Sequence, residues 1–224
     1  MDSLLQLLFP VVCLICADSG PVVCSSCEKR ILRVTGQREI EGTTLWAGAY
    51  YGDELAQLIL LAKEENNAPA RNYLAHLLVE TFMSSATELN RASVVTLIPI
   101  PSSAAANRKR GFRHSYLLAR DVASLIKRVS SCDVGVNEAL RVNRKIADQS
   151  NLNRADRFRN MSGAYSVDSR HIRRPSHQAP ESIFLIDDLV TSGSSVQEGL
   201  RALRQLGITL SGVLAAGVSP RVFS

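Results

Sequence analysis

The stretch SIFLIDDLVTSGSSV, residues 182–196, combines the features of a buried strand with those of a ligand site. Its four consecutive apolar residues, Ile-Phe-Leu-Ile, have the β-branched and aromatic character that predicts a buried strand. Asp187 and Asp188 follow at the predicted carboxyl end of this strand. Small hydroxyl-bearing residues surround a glycine at 191–195, and the apolar spacing of the following VQEGLRALRQLG predicts a helix.

Outward from this stretch, predicted strands alternate with predicted helices. The strands are at 43–52, 93–101, 164–167 and 208–218, and the helices are at 53–66, 67–89 and 116–129. The basic segment 102–115 is predicted as a loop, and the polar segment 168–181 as a linker or hairpin loop. This alternation predicts an α/β fold, with a mostly parallel sheet flanked by helices.

The 224-residue chain is long enough for a substantial core with an appendage. We predict an amino-terminal helix and cysteine module at 1–42 and the α/β domain at 43–224. The apolar opening of the chain has no Lys or Arg before Lys29, is interrupted by Pro10, and is too short to span a bilayer. We therefore expect a cytoplasmic protein without a membrane span.

Charge is distributed unequally along the chain. Residues 1–90 contain 6 Lys/Arg and 11 Asp/Glu, whereas residues 91–224 contain 20 and 10. The basic part favours an anionic ligand, phosphate or nucleic acid, although a solvated basic face is the better explanation of the charge taken alone. Aromatic residues make up only 5% of the chain, which disfavours a surface on which bases stack.

Two Cys-x-x-Cys pairs lie within fifteen residues, in CLICADSGPVVCSSC. Each pair can present two thiolates to one tetrahedral ion, so Cys13, Cys16, Cys24 and Cys27 predict a structural Zn²⁺ site with no open position. Buried unligated cysteines and disulfides are the alternatives, and a cytoplasmic location disfavours the second. Cys132 stands apart and is predicted to be a small core residue.

The acidic stretch at 187–195 differs from two common nucleotide sites. The chain contains neither Gly-x-x-x-x-Gly-Lys-Ser/Thr nor Gly-x-Gly-x-x-Gly. Small residues before a helix allow backbone N–H groups to converge on an anion. Carboxylates beside that anion can accept hydrogen bonds from sugar hydroxyls. Together they predict a cradle for a ribose 5-phosphate.

The sequence IFLIDDLVTSGSS resembles the 5-phosphoribosyl-1-diphosphate (PRPP) signature of type I phosphoribosyltransferases. Nearly the whole chain is similar to the ComF branch of that superfamily, the competence group that includes GntX-like proteins. The similarity includes the Cys-x-x-Cys pairs, LAKEENN, IPIPSS, RKRGFRHSYLLA and LRVNRKIADQSNLNRADRFRNMSGAYSV, in the order of the family.

This resemblance implies roles for individual residues. Asp187 and Asp188 match the catalytic acids that hold the ribose hydroxyls. The expected PRPP contacts fall on the 5-phosphate loop (Thr191, Ser192, Gly193, Ser194 and Ser195), on the diphosphate loop (Ile100, Pro101 and Ser102), and on Arg110 and Lys63.

Further matches and some departures accompany these roles. Gln149, Arg157, Asn160 and Gly163 match the family segment before the central strand. Four positions depart from the pattern: Arg113 and His114 replace Asn-Gln, Glu64 replaces an aromatic residue, and Tyr165 replaces phenylalanine. The first two departures remove an acceptor contact that the family's amides would make, and we expect His114 to be a solvated loop side chain without a catalytic role.

The resemblance implies a Mg²⁺- and PRPP-dependent phosphoribosyltransferase that releases diphosphate, with an acceptor that the sequence does not identify. Two alternatives stay open: a non-catalytic nucleic-acid-binding accessory of DNA uptake, with a DNA-uptake helicase as a partner, and a PRPP-sensing regulator. The intact acids and Gly193 favour the enzyme or the regulator, because binding to a phosphate backbone requires only positive charge.

Overall fold

The computed structural model describes residues 11–85, 93–143, 159–168 and 181–223. In these ranges the helices are α1 (Ser25–Glu28), α2 (Asp53–Glu64), α3 (Ala68–Ser84), α4 (Ala104–Arg110), α5 (His114–Val129), α6 (Ser194–Arg204) and α7 (Pro220–Phe223). The strands are β1 (Arg38–Ile40), β2 (Thr43–Tyr50), β3 (Val94–Pro99), β4 (Asp133–Val136), β5 (Leu140–Val142), β6 (Tyr165–Val167), β7 (Glu181–Val190) and β8 (Gly212–Val218).

Six of these strands form one sheet in the order β1-β2-β8-β7-β3-β4. Five of them run parallel, and β1 pairs antiparallel with β2 at one edge. β5 and β6 form a separate antiparallel ribbon. The prediction of a mostly parallel sheet flanked by helices is therefore confirmed. The boundary placed at residue 42 stays a prediction.

The two faces of the sheet are covered by different layers. Apolar residues of α2, α3 and α5 pack with Phe184 and Ile186 on one face. Residues of α6 and of the β5–β6 ribbon pack with Leu185 on the other face. Every residue of the interior strand β8 is buried, as expected for a parallel strand covered on both faces. Alternate residues of β7 thus face opposite layers.

Three sequence expectations differ from the structure. The segment predicted as a basic loop contains α4, for which Ser103 is the amino-terminal cap and Gly111, at φ +79°, ends the helix. The strand containing the acids does not end before them but continues to Val190, because it remains paired with β8. Finally, α5 begins at His114, two residues earlier than predicted.

Some predicted segments lie outside the described residues. These are the amino-terminal helix before residue 11, the end of the predicted helix 67–89, Gln149, Arg157, and most of the predicted linker at 168–181.

Candidate functional site

A crevice opens where the connections of two neighbouring parallel strands leave in opposite directions. The chain passes from β3 through α4 and α5 to β4, whereas it passes from β7 through α6 to β8, on the other side. Ligands of open α/β sheets bind at such a point, beyond the carboxyl ends of the strands. Here the two segments are Ile100–Ser103 and the turn at 191–193.

A cleft of about 270 Å³ lies at this point. It brings together eight of the residues predicted from the sequence: Lys63, Ile100, Pro101, Ser102, Arg110, Asp187, Asp188 and Ser195. The remaining predicted residues, Thr191, Ser192, Gly193 and Ser194, are not lining residues of this cleft; they form the turn and the helix start that precede Ser195.

The two adjacent acids face opposite layers of the fold. Asp188 continues the alternation of Phe184 and Ile186 and points toward α2 and α5. Its side chain is 5% exposed, and its Oδ2 accepts a hydrogen bond of 2.9 Å from Lys63 Nζ. Asp187 is on the face of the ribbon residue Tyr165. Its Oδ1 accepts a hydrogen bond from the backbone N–H of Asp188.

These surroundings move the pKa values of the two acids in opposite directions. Burial raises the pKa of Asp188, but the charge of Lys63 and the proximity of His114 outweigh it, so that the pKa is held well below its usual range. Burial and the negative charge of Asp188 hold the pKa of Asp187 well above its usual range. The two adjacent acids thus differ in how strongly they hold a proton, an arrangement suited to separate chemical roles.

A tight turn leads from β7 into α6. Gly193 has φ +79°, a conformation that a residue with a Cβ adopts only with strain. The turn brings the start of α6 beside the cleft, where the N–H groups of a helix terminus favour anions. The N–H of Ser194 contacts Ser192 Oγ at 3.4 Å. Ser192 and Ser194 are joined by an Oγ–Oγ contact of 2.9 Å. Tyr165 is buried behind the turn and lines the cleft together with Ser195.

On the opposite side of the cleft, α4 positions Arg110. The backbone N–H of Ile100 donates to the carbonyl of Ile186, which fixes the loop that leads into this helix. Arg110 makes a two-pronged ion pair with Glu64 at 2.7 Å and 3.0 Å. Its Nη1 is buried and has no hydrogen-bond partner among the described residues. Arg110 lines the cleft, so its guanidinium places a cationic hydrogen-bond donor at the site.

Glu64 was recognised in the sequence only as a departure from a family pattern. In the structure its carboxylate anchors Arg110, and this pairing lowers the pKa of Glu64. Lys63 and Glu64 are neighbours at the end of α2. Lys63 orients Asp188, and Glu64 orients Arg110, in the same cleft. An acid following a lysine gives no signal of this in the sequence, because its partner lies 46 residues away.

His114 is the site residue that sequence reasoning missed. It was expected to be solvated, but its side chain is 1% exposed and its Nε2 lies 3.2 Å from Asp188 Oδ2. Neither ring nitrogen makes a well-aligned hydrogen bond to the described residues. The signal available in the sequence was its spacing of four and eight residues from Leu118 and Val122, which are on the buried face of α5.

The predicted metal ligands form a second site. The Sγ atoms of Cys13, Cys16, Cys24 and Cys27 all lie within 4.8 Å of one another. Cys16 and Cys24 are 3.7 Å apart. Two thiolates at tetrahedral positions around zinc, each at about 2.3 Å from the metal, are separated by about 3.8 Å. The cluster could therefore hold a metal such as zinc.

Further donors surround these sulfur atoms. The backbone N–H of Cys24 points to Cys13 Sγ at 3.4 Å, and Arg30 donates to Cys27 Sγ at 3.1 Å. Such hydrogen bonds stabilise thiolates around a metal. All five cysteines in the described ranges are free of disulfides, and Cys132 lies apart from the cluster.

The cysteine module, residues 11–33, rests on the α2–α3 layer. Gln57 donates to the carbonyl of Leu14 at 2.6 Å, and Tyr73 donates to Glu28, also at 2.6 Å. Ile31 is buried in the core below. Helix α2, which carries Lys63 near its carboxyl end, thus contacts the cysteine module through its amino-terminal half.

Comparison with known proteins gives little similarity. No protein-family model and no curated protein matches the chain. Among solved structures, the crystal structure of orotate phosphoribosyltransferase from Aeropyrum pernix is 16% identical and has a TM-score of 0.34. The match covers 88% of this chain and 94% of that one. None of the helices in the described ranges has both the length and the apolarity needed to cross a bilayer.

Proposed function

We propose that this chain binds PRPP with Mg²⁺ in the cytoplasm and transfers the phosphoribosyl group to an acceptor, releasing diphosphate. The observation that carries this proposal is the composition of the 270 Å³ cleft. The carboxyl groups of Asp187 and Asp188, which can accept hydrogen bonds from hydroxyl groups, lie between two groups of donors that can bind anions. These donors are the turn before α6 and the guanidinium of Arg110. A ribose with a phosphate at each end has this order of chemical groups.

In this arrangement the 5-phosphate lies at the turn 191–195, where backbone N–H groups and hydroxyls donate to it. Asp187 and Asp188 accept hydrogen bonds from the ribose hydroxyls. The diphosphate extends toward Ile100–Ser103 and toward the guanidinium of Arg110, which lines the cleft. Each of these contacts pairs a ligand atom with a protein group of opposite hydrogen-bonding character.

The reaction separates charge, and the cleft is suited to stabilise it. As the bond from the anomeric carbon to diphosphate breaks, the sugar ring gains positive character and the leaving group gains negative charge. The carboxylate of Asp188 favours the first, and Arg110 favours the second. The acceptor's electron pair forms the new bond, and the electrons of the broken bond leave with diphosphate.

Magnesium fits the oxygen donors of this cleft. Lys63 occupies Asp188 Oδ2, which leaves Asp188 Oδ1 and Asp187 as the carboxylate oxygens available to a cation. Mg²⁺ characteristically takes one or two carboxylates and completes its shell with water and substrate phosphates. It would neutralise charge on the diphosphate as that group departs.

Calorimetric titration of PRPP with and without Mg²⁺ tests the proposal directly. We expect Mg²⁺-dependent binding of PRPP that is tighter than that of ribose 5-phosphate. A screen of bases and amines for diphosphate release then tests catalysis. Absence of PRPP binding in the presence of Mg²⁺ would reject the proposal. Binding of PRPP without diphosphate release in the presence of any of the acceptors would favour the PRPP-sensing regulator.

A second candidate is sequence-independent nucleic-acid binding in DNA uptake, with a helicase as partner. Arg108 and Lys109 of α4 are exposed, which favours it. Two other basic side chains of this segment form ion pairs, Arg110 with Glu64 and Arg113 with Glu138. We expect weak binding to DNA that decreases steeply with salt and is weakened in an Arg108→Gln, Lys109→Gln double variant. Salt-independent or sequence-selective binding would contradict this electrostatic account.

We further propose that the cysteine cluster holds one structural Zn²⁺ ion. Four thiolates leave no position for a substrate or a reactive water. The metal would stabilise residues 11–33, which contain one four-residue helix and isolated β-bridges but no longer regular element.

A further inference from the structure

His114 occupies a position in the core that packing alone does not explain. It is the first residue of α5 and lies on the same face as the buried Leu118, Val122 and Ile126. An apolar side chain there would continue this face and leave no polar atom without a partner. The imidazole instead buries two nitrogens, neither of which makes an aligned hydrogen bond to the described residues. Buried polar groups without partners are costly, so a ligand-bound state that satisfies them is a reason for their presence.

The polar neighbour of His114 is a proposed ligand-binding acid. Nε2 lies 3.2 Å from Asp188 Oδ2, the same oxygen that accepts the 2.9 Å hydrogen bond from Lys63. Lys63 is on α2 and His114 is on α5, so the two contacts approach this oxygen from different helices. Hydrogen bonds at active sites are commonly misaligned without substrate and tighten when it binds.

We infer that His114 is a positioning residue, which together with Lys63 fixes the carboxylate of Asp188 through Oδ2 and turns Oδ1 toward the ribose hydroxyls of PRPP. This inference rests on the proposed function. In it, His114 acts through its contact with Asp188 and does not contact the ligand. Nε2 donates to Oδ2 in the bound state. The role requires an N–H donor at this position and does not require an imidazole.

That distinction gives a conservative variant for the test. Glutamine carries an amide N–H donor on a flexible side chain of similar reach, whereas leucine fills the space without a donor. His114→Leu should lower PRPP affinity by on the order of tenfold, the loss typical of one hydrogen bond to a charged group. His114→Gln should recover most of this loss. Inorganic phosphate, which does not reach Asp188, should bind all three proteins equally.

Matched measurements separate positioning from folding. His76 is an exposed histidine of α3 outside the cleft, and His76→Leu should leave PRPP and phosphate affinity unchanged. Thermal melting should show that His114→Leu and His114→Gln remain folded at the temperature of the titration, so that a change in affinity is not a loss of structure. Equal PRPP affinity in wild type and His114→Leu, or a loss that His114→Gln does not recover, would overturn the inference.

A measurement without ligand distinguishes failure of this inference from failure of the proposed function. Urea unfolding of His114→Leu, Asp188→Asn and the double variant, each without ligand, measures the coupling between the two side chains. Because the His114 and Asp188 side chains are in contact, their effects on the free energy of unfolding should be non-additive. If wild type does not bind PRPP, the proposed function fails, but non-additivity would still support the contact. Additive effects would overturn it.

Discussion

The cysteine module and the sheet-edge cleft are both candidate binding sites, but they are held in place by different means. The four thiols are carried by residues 13–27, where the regular structure is a four-residue helix and isolated bridges. The cleft residues are instead carried by β7, α2, α4, α6 and the loop that follows β3, and most of these elements are anchored in one of the two cores. The comparison teaches that the first site should depend on its ligand for its structure, whereas the second should persist without its ligand.

Removal of the metal should have the largest effect, and it tests directly whether the cysteine module depends on its ligand for its structure. We expect one zinc per wild-type chain, and its loss in Cys27→Ser or with a chelator should abolish protection of residues 11–33 in hydrogen exchange. Structural zinc contributes about 10–16 kcal/mol in isolated zinc-finger peptides, far more than single side-chain contacts.

The control for this experiment is Cys132→Ser, which should retain the metal because Cys132 lies outside the cluster. Protection of the β7 and β8 amides should change little in either variant. Purified wild-type protein that contains no metal, with four freely titratable thiols, would contradict the zinc assignment.

Lys63→Met tests the other half of the comparison, the stability of the cleft without its ligand. Asp188 would remain buried without its main partner, and we expect a loss of about 2–4 kcal/mol in the free energy of unfolding at pH 7. Lys63 is 33% exposed, which keeps the expected loss below that of a fully buried pair. Urea unfolding followed by circular dichroism measures it.

The same pair gives a pH dependence with a definite sign. The pKa of Asp188 is lowered by Lys63, and that of Lys63 is raised by Asp188 despite its burial. The stabilisation is therefore fully present between about pH 4 and pH 10, and is lost as pH falls through the folded-state pKa of Asp188. The stability difference between wild type and Lys63→Met should shrink in acid. Lys127→Met, at an exposed ion pair, serves as the control and should cost less than about 1 kcal/mol.

Substitution of the two acids tests whether the cleft recognises ribose. Asp187→Asn and Asp188→Asn should each weaken PRPP binding by about 1.5–3 kcal/mol, because a hydrogen bond to a charged group is lost or weakened. Phosphate binding should not change. Asp188→Asn should also lower the melting temperature, because it removes the ion pair with Lys63. Wild-type PRPP affinity in both folded variants would reject the ribose contacts.

The smallest of these effects is expected at Gly193. A side chain there at φ +79° costs about 1–2 kcal/mol, and Gly193→Val should weaken both PRPP and phosphate because the turn no longer presents its N–H groups correctly. Gly135→Val, on exposed β4 without positive φ, is the matched control. If phosphate and PRPP bind Gly193→Val as tightly as wild type, the turn is not an anion site.

The sequence predicted the fold and most of the cleft for identifiable physical reasons. Apolar runs and their periods locate β2, β3, β7, β8 and the long helices. Three strands, β1, β4 and β5, have only three or four residues, too few for a recognisable period. In the basic segment, charge was given more weight than the capping signals Ser103 and Gly111, and α4 was missed.

Tertiary partners account for the remaining differences. The burial of His114 and the pairing of Glu64 with Arg110 depend on residues that are distant in the chain. The continuation of β7 through its two acids depends on backbone pairing with β8, to which the polarity of Asp187 is no obstacle at the open end of the sheet.

The alternation along β7 has a consequence for how this chain can change in evolution. Because Asp187 and Asp188 face opposite layers, the insertion or deletion of one residue within β7 would exchange their partners and reverse Phe184, Leu185 and Ile186 as well. The core would then lose its packing together with the cleft. We therefore expect this strand to vary among descendants by substitution and not by length, while the surface connections beyond its ends tolerate insertions.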